Sequence, residues 1–464
     1  MKPTKQPELT IVGGGLAGSE AAWQAASRGV KVSLYEMRPL VSTGAHQTSD
    51  LAELVCSNSL GSNLPDRASG ILKNELRSMD SLLLKCADES ALPAGGALAV
   101  DREGFAQKVT AAVEQHPLIQ VIRREVTAIP PEAAILASGP LTSPSLAQAI
   151  ERLTGRRQVF FYDALAPIVN YDSINMDIVF RGSRYGRNSE QAQGDYLNCP
   201  MDKAEYYRFV DELVSAERIS LQAFESEILS GVRAGMHAYF EGCLPIEIIA
   251  MRGREALAYG PLRPVGLTDP RSGRHSYAVV QLRQDNLAQT LYNLVGFQTN
   301  LRFSEQRRVF RMIPGLEQVE FTRFGHMHRN TFIFSPALLQ PTLQFNGRED
   351  LFFAGQITGV EGYVGNMATG LLAGWNAANQ LNGLPLVEMP AGTLLGALCH
   401  YITHAEAQDY QPMKANLGLL PGLAASIKGK RARAAAFAER SASELARFLR
   451  DPQINTPVAH SHYE

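Results

Sequence analysis

Three apolar runs along the chain end in glycine or small-residue turns. The first, LTIV from Leu9, breaks at Gly13 and leads into AGSEAAWQAA, with small residues on one face, and then VKVSLYE. A β-rich run, a glycine turn, a helix and a second strand make a βαβ unit. The second, AAILASGP (133–140), is an apolar strand closed by small residues, and the third, LFFAGQITGVEGYVGNMATGLLAGWNAA (351–378), repeats strand, glycine turn and small-residue helix. Between them VFFYDALAPIVNYDSINMDIVF has the aromatic and β-branched content of strands, and Asp202 stands as the N-cap of a helix KAEYYRFVDELVSAER. Residues 428–450 are rich in Ala, Arg and Glu without proline, which predicts an exposed amphipathic helix, with fraying after Asp451. If the three runs share one sheet, residues 1–155 and 325–464 form a discontinuous α/β domain and 156–324 an inserted α+β domain.

The spacing of the first turn assigns chemistry. Gly13 makes the tight turn, Gly15 lets backbone approach a pyrophosphate, Gly18 lets the helix lie close on the sheet, and Gly14, Leu16 and Ala17 complete a turn whose helix N-terminus faces phosphates. Glu36 ends the second strand eighteen residues after Gly18, where a carboxylate accepts hydrogen bonds from ribose hydroxyls; a plain tight turn needs no such residue. FAD, NAD and S-adenosylmethionine all present a ribose in this way, so the unit alone does not choose among them. The two later runs resemble the strand-Ala-Thr-Gly element and the C-terminal flavin motif of two-dinucleotide-domain flavoproteins, which favours FAD and a Rossmann-like FAD-binding domain. That motif usually has aspartate after its glycine; here Gly355 is followed by Gln356, which removes one carboxylate expected near the ribityl chain.

Composition narrows the classes. With 464 residues, 45% hydrophobic, 19% charged and a net charge of −2, the chain reads as a soluble globular protein that does not hold nucleic acid by global positive charge. Five scattered cysteines with no CxxC pair argue against a disulfide framework and against a metal site, and fit a reducing cytoplasm. No apolar run reaches the roughly 18 residues of a membrane helix, and the polar start up to Glu8 reads as having no signal peptide.

Two thiols sit where the chain turns: Cys56 in LAELVCSNSLGSNL and Cys243 in YFEGCLPIEII. Both are candidates for chemistry, whereas Cys86 and Cys399 lie in helix-like apolar stretches and Cys199 precedes a proline in an expected loop. FTRFGHMHRNTFIF (321–334) gathers histidines between strand-like ends, where an imidazole can stack on a heterocycle. Arg302, Arg307, Arg308 and Arg311 cluster with only Glu305 nearby in sequence, and Lys428, Lys430, Arg431 and Arg433 form a second basic group; either can track an RNA backbone or be a solvated face.

Taken in order, IVGGGLAGSEAAW, YEMRP, LVCSNSL, ILKNELR, VDREGF, FEGCLPIE, YGPLRPVGL, QLRQDN, MHRNTF and FAGQITGVEGYVG with ATGLLAG resemble the folate- and FAD-dependent tRNA uracil-5-methyltransferase family, from about residue 8 to about residue 450. Leu244 between Cys243 and Pro245 departs from the family's pattern within its range of spacing. The resemblance implies conversion of the T-loop uridine 54 of tRNA to ribothymidine, with carbon from 5,10-methylenetetrahydrofolate and reducing equivalents from NAD(P)H through FAD. C5 of uracil is a poor nucleophile until a thiolate adds at C6, and Cys243 is the choice for that thiolate. By resemblance Cys56 lies beside the isoalloxazine, Tyr363 covers the flavin and His328 stacks on the pterin; the basic cluster, read from its charge alone, offers Arg307, Arg308 and Arg311 as contacts to tRNA phosphates. No obligatory protein partner is expected. The competing readings are a folate–flavin enzyme of wobble uridine, which normally has a partner and a longer C-terminal helical domain, a flavin-binding redox module without RNA chemistry, and, as an outsider, an S-adenosylmethionine methyltransferase.

Overall fold

The computed structural model describes residues 7–43, 45–155, 159–186, 194–219, 244–271, 273, 275–406, 410–424 and 426–451. The three apolar runs share one sheet. Its six strands run in the order Gln344–Phe345, Arg348–Phe353, Ala134–Leu136, Glu8–Val12, Lys31–Glu36, Ile119–Arg123, parallel except for the edge pair of Gln344–Phe345 with Arg348–Phe353. Parallel strands need crossovers, and the first is the helix Leu16–Ala26, almost wholly buried, as its alanine-rich sequence allows.

Against that helix lies the long helix Tyr363–Leu381. The two approach at backbone distance: a Cβ on Gly370 would stand 2.3 Å from the carbonyl oxygen of Ala17, and one on Gly374 would stand 2.4 Å from that of Ala21. No residue but glycine fits at either position. The contact brings the turn before each helix to the same end of the sheet.

The middle of the chain builds a second six-stranded sheet, antiparallel throughout, in the order Phe180–Gly182, Tyr196–Met201, Ala278–Gln284, Leu291–Leu294, Ile168–Asn170, Phe321–Arg323. The helices Lys203–Ser215 and Phe303–Phe310 cover it, and Tyr206, Phe209, Phe297 and Phe310 form its own core. Asp202 caps the first of these, as the sequence predicts, and Glu205 completes a capping box with it. The strand pair Val159–Ala164 and Met327–Phe332 carries the chain out of the first sheet and back.

Two expectations change. Cys199 is not in a loop: it lies in the strand Tyr196–Met201, paired with Val280 and fully buried, because the following Pro200 takes a strand position. The C-terminal helix forms as Lys430–Leu449, but Ala434, Phe437, Ser441 and Leu445 make a buried stripe. Its anchor is the buried Glu75, whose carboxylate accepts from Ser441 Oγ at 2.6 Å and from the N–H groups of Leu394 and Leu395 at 2.6 and 3.0 Å. No described helix is long and apolar enough to cross a membrane.

Gly374→Ala places a methyl group against backbone that cannot move aside. The variant is expected to lose about 2–3 kcal/mol in urea unfolding, with Gly422→Ala, exposed and at ordinary backbone angles, as the milder control.

Candidate functional site: a nucleotide cleft that opens beside Cys56

Each glycine of the turn has a different structural reason. Gly13 has φ +105°, and a Cβ there would meet the Ala137 carbonyl oxygen at 2.4 Å. Gly18 would place a Cβ 1.8 Å from the Gly13 carbonyl oxygen, so helix and turn touch. Gly14 donates its N–H to Glu36 Oε2 at 2.9 Å and accepts from Ala52 N at 2.9 Å, fastening the turn to the second strand and to the loop that carries Cys56. Over Gly15 there is open space, with no atom within 4 Å of an added Cβ. No side chain caps the helix that follows, so the first-turn N–H groups of Leu16 and Ala17 face the cleft.

Glu36 is buried at the strand end, where the cleft begins. Burial raises its carboxyl, but hydrogen bonds and charge from Arg38 and the Gly14 N–H outweigh that and hold it below the usual range. Arg38, which the motif reading passed over, binds Glu36 Oε1 and Glu53 Oε2 at 2.9 Å each and the carbonyls of Thr48 and Asp50. Its signal in the sequence is faint: an arginine two residues past Glu36 in YEMRP.

The third run closes the cleft from the other side. Gly355 has φ +78° and sits against Ala17, and Gln356 reaches Glu361 Oε1 at 2.7 Å. Glu361, buried in the wall of the adjoining cleft, thus holds the amide of Gln356 at the place where the motif usually has a carboxylate. The long helix begins at Tyr363 with no side-chain cap, its second uncapped N-terminus on this cleft. Asn366, one turn in, has a buried Oδ1 with no hydrogen-bond partner among the described residues.

Val55, Leu141, Gln356, Tyr363 and Asn366 line both this cleft and a second one that continues it. Cys56 lines the second, with Ser59, Leu165 and Asn330. Tyr363 Oη accepts from the N–H groups of Cys56 and Ser57 at 2.7 and 3.1 Å. Burial, then the charge of Cys56, pushes its phenol well above the ordinary tyrosine value. The loop is held on its other flank by Asn58, which donates to the carbonyls of Val100 and Gln284 and accepts from Arg283 Nε, all at 2.9 Å. Lys73 finishes the support: its buried ammonium donates to the carbonyls of Leu60, Gly61 and Ser62 and to Ser69 Oγ. By contrast Cys86 and Cys399 are inert, pushed up to about 11 and about 12 by burial, and burial pushes Cys199 up further.

Cys243 lies outside the described residues, and the structure resumes at a buried Leu244 before the helix Ile246–Met251. The backbone of His328 pairs with Asp163 in the strand Met327–Phe332, while its side chain is outside the described set. The arginine group is not as isolated as its sequence suggests. Arg302 pairs with Glu217, Arg308 with Glu212 and Glu305, and Arg311 donates to the Val319 carbonyl. Arg307 lies over the ring of Phe324 at 5.3 Å.

Room over Gly15, two uncapped helix N-termini and the unpartnered Asn366 oxygen together suit a dinucleotide with a diphosphate and a polar heterocycle. Fold and cleft thus define an FAD-binding Rossmann-type flavoprotein domain with an inserted α+β domain. Two structures of Aquifex aeolicus GidA share this fold, with TM-scores of 0.69 and 0.68 at 15% and 16% identity, covering 98% of this chain and 75% and 77% of theirs. The family model described as glucose inhibited division protein A matches residues 8–385. Proteins named methylenetetrahydrofolate–tRNA-(uracil-5-)-methyltransferase TrmFO from Brevibacillus brevis, Pelotomaculum thermopropionicum and Symbiobacterium thermophilum are 53%, 55% and 56% identical, covering 95–96% of this chain and 97–99% of theirs. The chain belongs to the GidA family and, within it, to the methylenetetrahydrofolate–tRNA-(uracil-5-)-methyltransferases.

Because Gly15 has ordinary backbone angles and open space above it, Gly15→Val is expected to fold with the unfolding midpoint of flavin-stripped wild type and to purify without flavin absorbance. Full flavin content in that variant would remove the diphosphate from this turn.

Proposed function

We propose that the chain methylates C5 of uracil at uridine 54 in the T loop of tRNA, with 5,10-methylenetetrahydrofolate as carbon donor and NAD(P)H as reductant. The observation that carries this reading is the junction at Tyr363, where the nucleotide cleft runs into the space beside Cys56. A redox cofactor and a reactive base can meet there without either leaving the protein. FAD, when bound, supplies the two-electron reduction that a methylene unit needs to become a methyl group.

The protein's own share is positioning and nucleophilic chemistry. The Cys243 thiolate adds at C6 of the flipped uracil and makes C5 nucleophilic; flipping the base costs a few kcal/mol. Cys56 serves as the second reactive thiol at the flavin side, Tyr363 covers the flavin ring and His328 stacks on the pterin. Gly13, Gly14, Gly15, Leu16, Ala17 and Gly18 hold the diphosphate, Glu36 the ribose, and Gly355 and Gln356 the ribityl side. The setting is the cytoplasm, with no obligatory protein partner.

The test is incubation of the pure protein with tRNA transcript, NADPH and labelled methylenetetrahydrofolate. Label in 5-methyluridine at position 54 supports the reading; label on a wobble base, or none in the RNA, overturns it. Transcript containing 5-fluorouridine is expected to form a stable adduct with the wild-type protein, because fluorine cannot leave C5 as a proton does. The adduct should vanish in Cys243→Ala and persist in Cys56→Ala, and peptide mapping of the RNA to a residue other than Cys243 would reassign the nucleophile.

Arg307, Arg308 and Arg311 are proposed to contact tRNA phosphates. Since Arg308 and Arg311 already serve protein acceptors, Arg307→Ala is expected to cause the larger loss, reducing the salt slope of tRNA binding by about one. An unchanged slope would return this helix to a solvated face.

A further inference from the structure

The loop bearing Cys56 is gripped by three guanidinium groups at alternate residues. Arg102 Nη1 donates to the carbonyl of Leu54, Arg323 Nη2 to that of Cys56 at 3.3 Å, and Arg283 Nε to Asn58 Oδ1 at 2.9 Å. They come from three distant places: the start of the helix Arg102–Gln115 and two strands of the inserted sheet. Among the described residues one carboxylate is bonded to them. Asp285, itself buried, takes Arg102 through two hydrogen bonds of 2.9 and 3.3 Å. Arg323 Nε is buried and has no acceptor among the described residues.

Among the described residues these three guanidinium groups therefore carry two positive charges beyond what Asp285 neutralises. Buried charge left uncompensated is costly, and a nearby group able to become an anion is driven to do so. The remaining titratable groups facing the loop among the described residues are Tyr363, whose raised phenol stays neutral, Tyr196 beside Arg283, His326 beside Arg323, Glu361 and Lys414 on the far wall of the cleft, and Lys73, which burial pulls down to about 7 and which holds the carbonyls of residues 60–62 further along the loop. Glu361 and Lys414 bring opposite charges, so they leave the excess at the loop as it is. Burial pulls Arg283 and Arg323 down from the ordinary value, and Cys56 in its charged form is among the groups pulling each of them back up, as it does Arg102.

We propose that Arg102, Arg283 and Arg323 are positioning residues that keep the Cys56 sulfur deprotonated at neutral pH. Its proton goes to solvent when the inserted sheet docks on the loop, so the thiol enters the reaction as a ready nucleophile or base. This rests on the reading of the second cleft as the reaction site, but its test does not depend on turnover.

The test is alkylation of the intact flavoprotein by iodoacetamide between pH 5 and pH 10, with peptide mass mapping to follow Cys56 separately from Cys243. For wild type the Cys56 midpoint is expected at least one unit below the roughly 8.5 of an ordinary thiol. Arg323→Gln should raise it by about one unit, so that alkylation at pH 6.5 slows about tenfold, and Arg323→Lys should recover most of that loss. Arg283→Gln should act in the same direction. A wild-type midpoint at or above the ordinary value overturns the proposal, as does an identical midpoint in Arg323→Gln that retains its flavin. A depressed midpoint in a protein that fails to methylate tRNA would instead overturn the proposed function and leave this inference standing.

Discussion

The backbone contact between the helices Leu16–Ala26 and Tyr363–Leu381 is the constraint on which the site depends. At ordinary helix separation the turns at Gly13–Gly18 and at Gly355 would stand apart, and each would present its N–H groups to a different place. Glycines 370 and 374 remove that spacing, so Gly355 packs on Ala17 and both uncapped N-termini share one cleft. The helix dipoles then add over the same short stretch, which favours an anionic diphosphate with no basic side chain at the turn.

The same long helix controls the reactive loop through its first residue. Tyr363 can accept two N–H groups from Cys56 and Ser57 only because it stands at the helix start, where the chain has just left Gly362 and the side chain projects into the cleft. Lys73 and Asn58 hold the loop from behind, one through carbonyls and the other across to the inserted sheet. Cofactor cleft, thiol and inserted domain are thus parts of one hydrogen-bonded unit. A disturbance of the inserted sheet reaches Cys56 within a few bonds.

Charge is distributed unevenly across the inserted domain. The arginines of the helix Phe303–Phe310 and its flanks are met by Glu212, Glu217 and Glu305 on an exposed face, where such pairs contribute little to stability. Those against the Cys56 loop are few, buried and short of partners, and there each charge weighs more.

What acts over short stretches of chain was legible in the residues alone. The βαβ unit, the separate demands on Gly13, Gly15 and Gly18, Glu36 at its strand end, the N-cap at Asp202 and the return of the chain through the third run all follow from spacing and period. Only the tertiary structure decided which distant groups meet. Glu361 takes the amide of Gln356, acids on the helix Lys203–Ser215 and just beyond it neutralise Arg302 and Arg308, Pro200 fits a strand and buries Cys199, and Glu75 draws one face of the C-terminal helix out of water. The gathering of Arg102, Arg283 and Arg323 around residues 54–58 belongs to the same kind. The physical reason is common to them all: periodicity and turn chemistry are written within a few residues, whereas electrostatic partnership depends on which surfaces packing brings within reach.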